Sequence, residues 1–277
     1  MTDHMNTVQL ATGVAVPYVE YGDPVGVPMV MLHGYSDSLL SYELLLPHLS
    51  ESIHAYAYTQ RGHGDADKPA TGYALEDYVA DVAAFMDAIG IDAAVIVGHS
   101  GGAYTAQHFA LEHPERTLGV VLIGSFRSFH DNPAVLELRE AVTEFTDPVD
   151  AGFVREFQES CITRPVSAEF IDEIIGGSCK MPARAWKAYL EGLFAAEVPT
   201  EAGEIAAPTL ILWGDQDGFA LRGDQDALLA AIPGSRLEAY EGVGHCPHWE
   251  QPERAAAEIT GFAIGAAREA PHVALAS

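Results

Sequence analysis

The residues of this 277-residue chain best suited to chemistry lie at 98–102, which read Gly-His-Ser-Gly-Gly. A serine flanked in this way forms the G-x-S-x-G pattern, in which a tight turn between a strand and a helix exposes the hydroxyl. Such a turn strains the serine backbone and leaves its neighbours little room for a Cβ atom. An apolar run at 93–97 and a helix-compatible stretch after the motif supply the expected context. We therefore expect Ser100 to act as a nucleophile.

A serine hydroxyl is a weak nucleophile until a base removes its proton and a third group orients that base. Residues 214–218 read Gly-Asp-Gln-Asp-Gly and offer Asp215 and Asp217 as the acid. Residues 241–245 end in Gly-His and offer His245 as the base. Each segment follows a strand-like run, so both belong to loops at the carboxyl ends of strands, where sites in α/β sheets form.

The elements that must position these residues alternate between strand and helix along most of the chain. Predicted strands occupy 14–22 (an edge strand), 29–32, 54–59, 93–97, 118–123, 209–213 and 236–240. Predicted helices occupy 41–49, 75–89, 102–112, 223–232 and 252–266. This alternation predicts an α/β fold with a doubly wound, mostly parallel sheet.

Between residues 127 and 207 the pattern changes, because no buried-strand run appears there. Amphipathic helical stretches replace it at 134–145, 151–160, 167–176 and 183–196. A segment of this length is too long for an ordinary connection, so we interpret it as a helical cap over a site. The predicted organisation is core 1–126, cap 127–207 and core 208–277, with a frayed tail at 268–277.

Composition and charge narrow the function classes. Fourteen basic and forty acidic residues give a formal net charge of −26, which opposes binding to nucleic acid and to anionic membranes. No apolar run is long enough to cross a bilayer, and residues 1–6 lack the pattern of a secretory signal. The three widely spaced cysteines favour a reducing compartment over disulfides or a zinc site. We expect a cytoplasmic protein without metal or cofactor, and leave a homodimer open.

Several motifs in the same order make the chain resemble the α/β-hydrolase superfamily, particularly its capped esterases, lactonases and carbon–carbon hydrolases. The likeness runs from about residue 14 to 266. The matching motifs are His33-Gly34, Arg61-Gly62-His63-Gly64, the serine turn, Gly214-Asp215-Gln216-Asp217 and Gly244-His245. The resemblance implies the α/β-hydrolase fold and a Ser–Asp–His catalytic triad.

The resemblance also implies which groups assist the serine. It assigns the acid to Asp217, while Asp215 is expected to bond amides of the turn. Residues 124–126, at the end of the preceding strand, hold no carboxylate that could replace Asp217. One donor of the oxyanion hole is expected to be the backbone N–H of Gly101. The resemblance implies the N–H of Tyr35 as the other.

The substrate pocket is less well defined by the sequence. We expect it to include His33, Gly34, His99, Phe126 and Trp186, although His99 is interpreted first as a structural histidine. The cap offers further aromatic residues, whose helical spacing favours packing within the cap. His63 and His248 are interpreted as structural.

A serine at position 100 favours acyl transfer, because similar haloalkane dehalogenases and epoxide hydrolases have an aspartate there. The leading hypothesis is hydrolysis of a neutral or apolar small-molecule ester or lactone through an acyl-enzyme. Hydrolysis of a carbon–carbon bond in an anionic keto acid is an alternative, for which Arg127, Arg155, Arg164 and Arg184 are candidate ligands. A cofactor-independent oxygenase or perhydrolase and a ligand receptor with a vestigial triad also remain open.

Overall fold

A sheet of eight strands forms the centre of the molecule. The computed structural model describes residues 5–130 and 132–269. Its strands are β1 (Asn6–Gln9), β2 (Ala15–Gly22), β3 (Val27–Leu32), β4 (Ile53–Tyr58), β5 (Ala94–His99), β6 (Thr117–Ile123), β7 (Thr209–Gly214) and β8 (Arg236–Tyr240). Their order is β1-β2-β4-β3-β5-β6-β7-β8, antiparallel for the first two pairs and parallel thereafter. The α/β, mostly parallel sheet predicted from the sequence is confirmed.

Helices cover both faces of this sheet. They are α1 (Leu75–Ile89), α2 (Gly101–Glu112), α3 (Pro133–Thr143), α4 (Ala151–Ser160), α5 (Ala168–Ser178), α6 (Ala183–Ala195), α7 (Pro199–Ala202), α8 (Arg222–Ala231), α9 (Pro247–Glu250) and α10 (Pro252–Glu269). Strands β4 to β7 are buried along their whole length. Continuous apolar runs suit such strands, because both of their faces contact helices.

Two local predictions are wrong, and one lies partly outside the described residues. The helix predicted at 41–49 is replaced by two 3₁₀ turns, Leu39–Tyr42 and Leu46–His48. Pro47 lacks a backbone N–H and is therefore tolerated only in the first turn of a helix. It interrupts the longer helix predicted at 41–49. Strand β1 was not predicted, and it displaces β2 from the sheet edge. Of the tail predicted to fray, 270–277 lie outside the described residues, whereas α10 continues to Glu269.

Helices α3 to α7 all lie within the segment predicted to form a cap. We call residues 133–202 the cap segment. Its apolar side chains form one buried cluster with core residues, including Tyr35 and Trp249. The cap segment therefore packs against loops of the core, among them the loop after β3 that carries Tyr35.

Candidate active site

Ser100 occupies a strained turn between β5 and α2. Its backbone angles are φ 52° and ψ −118°, a conformation that non-glycine residues rarely adopt. A Cβ atom on Gly98 would lie 2.3 Å from the Gly102 carbonyl oxygen, and one on Gly102 would lie 2.3 Å from the Leu32 carbonyl oxygen. Glycine at both positions therefore allows β3, β5 and α2 to meet closely enough to form the turn.

His245 and Asp217 form a buried pair on the loops after β8 and β7. The distance from His245 Nδ1 to Asp217 Oδ2 is 2.8 Å. The other carboxylate oxygen of Asp217 accepts hydrogen bonds from the N–H groups of Phe219 and Ala220, at 2.8 and 2.9 Å. Because Nδ1 donates to the carboxylate, Nε2 is the ring nitrogen free to accept a proton.

The charge of Asp217 controls the protonation of His245. Burial is the largest single influence and lowers the pKa of His245, but the charge and hydrogen bond of Asp217, with smaller contributions from Cys161 and Asp37, together raise it by more. The resulting pKa lies above the ordinary value of 6.5. The pair therefore stabilises an imidazolium, which is the form a base takes after removing a proton.

The remaining acidic candidate has a different role. Asp215 is exposed, and its Oδ1 accepts hydrogen bonds from the Gly242 N–H and the Gln216 side chain, at 2.7 and 3.1 Å.

At the end of β6, Gly124 has φ 52°, and a Cβ there would lie 2.9 Å from the His245 ring. The position that could carry an alternative acid is thus filled by the histidine itself.

A cap residue holds the backbone of the histidine. The N–H of His245 donates to the carbonyl of Cys161, at the end of α4, over 2.8 Å. Glu250 strengthens this junction, because one carboxylate oxygen accepts from the Gly244 N–H at 2.8 Å. Its other oxygen accepts from the N–H groups of Thr163 and Arg164, at 3.1 and 2.7 Å. Cap segment and histidine loop are therefore joined by backbone hydrogen bonds.

The backbone N–H groups predicted to bind an oxyanion are available. Gly101 is the first residue of α2, where N–H groups lack partners within the helix and the dipole favours negative charge. Neither the Gly101 nor the Tyr35 N–H has a hydrogen-bond partner among the described residues. The Tyr35 side chain fixes its loop, because its hydroxyl donates to the Trp186 carbonyl of α6 at 2.8 Å.

Ser100 and His245 line the same narrow cavity. Its other lining residues are mostly apolar: Tyr35, Asp37, His99, Phe126, Phe129, Val135, Leu138, Phe157, Gln158, Cys161, Leu190, Leu193, Phe219 and Trp249. The space that the centre of a water molecule can reach is about 30 Å³. The cavity is therefore narrow in this structure.

Only part of the predicted pocket belongs to this lining. His99 and Phe126 line the cavity, whereas His33, Gly34 and Trp186 lie outside it. His33 is fully buried, and its Nε2 accepts from the Gln60 N–H at 3.0 Å. Trp186 packs edge-on behind Tyr35, with ring centroids 5.0 Å apart.

Gly34 supports the site from behind. A Cβ there would lie 2.7 Å from His99 Nδ1, so this position requires glycine. His99 in turn contacts the histidine loop, because its Nε2 lies 3.2 Å from the His245 carbonyl oxygen. Burial lowers the pKa of His99, and the ring is therefore neutral. His99 links the serine turn to both neighbouring loops.

A buried carboxylate that was not predicted from the sequence also lines the cavity. Asp37 is 3% exposed, and its Oδ1 accepts from the Gln158 side chain of α4 at 3.0 Å. Its Oδ2 accepts from the Ser41 hydroxyl at 3.3 Å and lies 3.7 Å from His99 Nδ1. Two features of the sequence could have indicated this contact: Asp37 lies three positions after Gly34, and Gln158 lies on an otherwise apolar helix face.

The glycine-rich loop at 61–64 and two further histidines are engaged in internal contacts. Arg61 forms two hydrogen bonds with Asp81, both 2.6 Å, so its glycine-rich loop offers no free cation. His63 and His248 are fully buried, as expected of structural residues. Residues 5–130 and 132–269 contain no group of side chains suited to a metal ion, and no helix there is long and apolar enough to cross a membrane.

Fold and site together define an α/β hydrolase. A model of the alpha/beta hydrolase family matches residues 29–258, and the chain belongs to that family. The match spans the serine turn, the cap segment and the histidine loop. The protein is therefore a hydrolase of the α/β-hydrolase type.

Known relatives differ in the reactions that their names describe. The chain is 28% identical over 275 residues to a non-heme chloroperoxidase of Streptomyces lividans, covering 93% of this chain and 99% of that protein. It is 24% identical over 252 residues to a 3-oxoadipate enol-lactonase of Acinetobacter baylyi, covering 90% and 93%. An esterase from Exiguobacterium antarcticum superposes with a TM-score of 0.81 at 21% identity, covering 94% and 99%, and shares the fold.

Proposed function

We propose that the protein hydrolyses a carboxylic ester or lactone through an acyl-enzyme, with Ser100, His245 and Asp217 as the catalytic triad. The observation that carries this proposal is the His245–Asp217 pair at 2.8 Å, whose histidine lines one cavity with the strained Ser100. The enol-lactonase relative is consistent with this bond type. We further propose that residues 127–207 act as a cap over a core of residues 1–126 and 208–277, and that the enzyme works in the cytoplasm.

In the first half of the reaction, the Ser100 oxygen attacks the carbonyl carbon while Nε2 of His245 takes the hydroxyl proton. The carbonyl oxygen becomes an oxyanion, bound by the N–H groups of Tyr35 and Gly101. The C–O bond to the alcohol then breaks, and His245 returns the proton to the leaving oxygen. Asp217 keeps its negative charge throughout and stabilises the imidazolium.

In the second half, a water molecule attacks the acyl carbon and His245 accepts its proton. Collapse of the second tetrahedral intermediate releases the acid and restores the Ser100 hydroxyl when His245 donates the proton back. The apolar lining excludes bulk water and strengthens the electrostatic interactions of the triad.

The experiment is a screen of esters, lactones and dienoates with the native protein and Ser100→Ala. We expect Ser100→Ala to lose ester hydrolysis while retaining the native circular dichroism spectrum and melting temperature. A fluorophosphonate should label the native serine covalently and leave the variant unlabelled. Turnover of every cleaved ester by Ser100→Ala would overturn the proposal, and slow or absent labelling of the native protein would favour a ligand receptor.

The positions of the arginines argue against hydrolysis of an anionic keto acid. No arginine or lysine is among the residues that line the cavity. Arg127 pairs with Glu201, and Arg155 pairs with Asp172, both at the surface. The other two candidates, Arg164 and Arg184, also lie outside the cavity lining. A dienoate in the screen tests this alternative directly.

Perhydrolysis is a second candidate, favoured by the similarity to a chloroperoxidase over nearly the whole chain. Hydrogen peroxide in place of water as the second nucleophile would attack the same acyl carbon and release a peracid. The assay adds peroxide to the ester reaction and measures peracid formation that depends on Ser100. Ester hydrolysis without peracid would exclude this activity.

A further inference from the structure

The cavity contains one acidic group that the catalytic cycle does not use. Asp37 lies on the loop that carries Tyr35, and it lines the cavity together with Ser100. Almost all of its side chain is removed from solvent, with 3% exposed. A carboxylate in such a place is costly unless hydrogen bonds and charges compensate it, so its contacts bear on what the cavity accepts.

The contacts of Asp37 are those of an ionised carboxylate. Each of its oxygens accepts a hydrogen bond from a neutral donor, Gln158 on one side and Ser41 on the other. The Ser41 oxygen is itself 3.2 Å from His248 Nε2, which lets the serine hydroxyl donate to Asp37. The neighbouring ring nitrogen, His99 Nδ1, lies 3.7 Å away.

No full positive charge offsets this carboxylate. Among the described residues, its ion-pair contacts are limited to His99. Burial lowers the pKa of His99 and lowers that of His248 well below the ordinary value, so both rings remain neutral. The cavity lining contains no lysine or arginine. Asp37 is therefore an acidic side chain of the cavity lining without a cationic partner among the described residues.

We propose that Asp37 sets the charge specificity of the enzyme: it disfavours esters with an anionic group near the reacting carbonyl and accepts neutral esters or those with an ammonium or hydroxyl donor. This inference rests on the proposed ester hydrolysis. A substrate carboxylate brought into this apolar cavity would face Asp37 with little water to screen the repulsion. An ammonium or hydroxyl would find an acceptor with unused lone pairs.

The test compares three p-nitrophenyl esters of equal chain length: the butyrate, the 4-aminobutyrate and the hemisuccinate. For the native enzyme we expect kcat/KM for the hemisuccinate to be at least tenfold below that for the ammonium ester. Asp37→Asn should reduce this ratio at least tenfold. The matched control is Asp92→Asn, which removes the same charge from an exposed position before β5, at the opposite end of that strand. It should leave the ratio within twofold.

A measurement on the native enzyme covers the case in which Asp37→Asn does not fold. Salt screens exposed charges strongly and buried ones much less. Discrimination by Asp37 should persist at 1 M salt, whereas discrimination caused by the net charge of −26 should disappear. Loss of discrimination in salt, or an equal effect of Asp92→Asn, would overturn the role of Asp37. Equal cleavage of all three esters that depends on Ser100 would overturn charge specificity alone, whereas no cleavage dependent on Ser100 would overturn the proposed function.

Discussion

Two aspartate–histidine pairs lie against the same cavity and differ in geometry. Asp217 and His245 are 2.8 Å apart, and the carboxylate raises the pKa of the ring above 6.5 despite burial. Asp37 and His99 are 3.7 Å apart, and burial dominates, so the pKa of His99 is lowered. The same residue types thus yield a base in one pair and a neutral ring beside an anion in the other. In the second pair burial outweighs the charge and hydrogen bond of Asp37, and the neighbouring His245 lowers the pKa of His99 further.

The largest effect is expected from breaking the catalytic pair. Asp217→Asn should lower kcat by about ten thousand-fold, because the amide stabilises neither the required tautomer nor the imidazolium. Asp215→Asn is the matched control two residues away, since Asp215 is exposed and bonds only its own turn and the Gly242 N–H. Steady-state kinetics on a neutral ester measures both. A loss in Asp215→Asn as large as that in Asp217→Asn would contradict the assignment of the acid.

The pH profile offers the next test of this comparison. His245 must be neutral to accept the serine proton, so kcat/KM should rise with pH through the pKa of this ring. Because that pKa is raised, the acid limb should lie above pH 6.5, with about a tenfold loss per pH unit below it. In Asp217→Asn, the acid limb of the residual activity should move to lower pH, because the carboxylate that raises the pKa of His245 is gone. A native limb at or below pH 6.5 would contradict the raised pKa of His245.

The smallest effect is expected from the second histidine. His99→Gln removes a ring that contacts the His245 carbonyl and Gly34, and it should lower kcat by about tenfold or less, the value of a neutral hydrogen bond. The acid limb should stay in place, because His99 is neutral at the relevant pH. The thermal melt of the variant serves as the control for folding. Movement of the limb would show that His99 titrates with the base.

The triad candidates could be identified from sequence because local glycine patterns mark them. Gly98 and Gly102 predict the strained turn at Ser100, and the Gly-His pair that follows a predicted strand indicates His245 as a candidate. The buried strands of the sheet could also be predicted, because continuous apolar runs indicate such strands. The helix predicted at 41–49 failed because tertiary packing and Pro47 override weak local periodicity.

The cavity could not be predicted in the same way, because it is made by contacts between distant residues. Asp37 meets Gln158 across 121 positions, and no local pattern signals that both become buried. Periodicity also left the orientation of Trp186 undetermined, and the structure packs it behind Tyr35. The lining of the cavity therefore depends on contacts between the core and the cap segment, which no local sequence pattern indicates.

The hydrogen bond from the His245 N–H to the Cys161 carbonyl has a consequence for engineering. Replacing the cap segment with that of another family member would also replace the residues around this hydrogen bond. In this protein the end of α4 supports the backbone of His245, the residue that we propose as the base. A graft should keep residues 158–164 from the recipient and replace only the helices around them. If the proposed roles hold, the cap segment contributes to catalysis as well as to specificity, and an exchange has to preserve that junction.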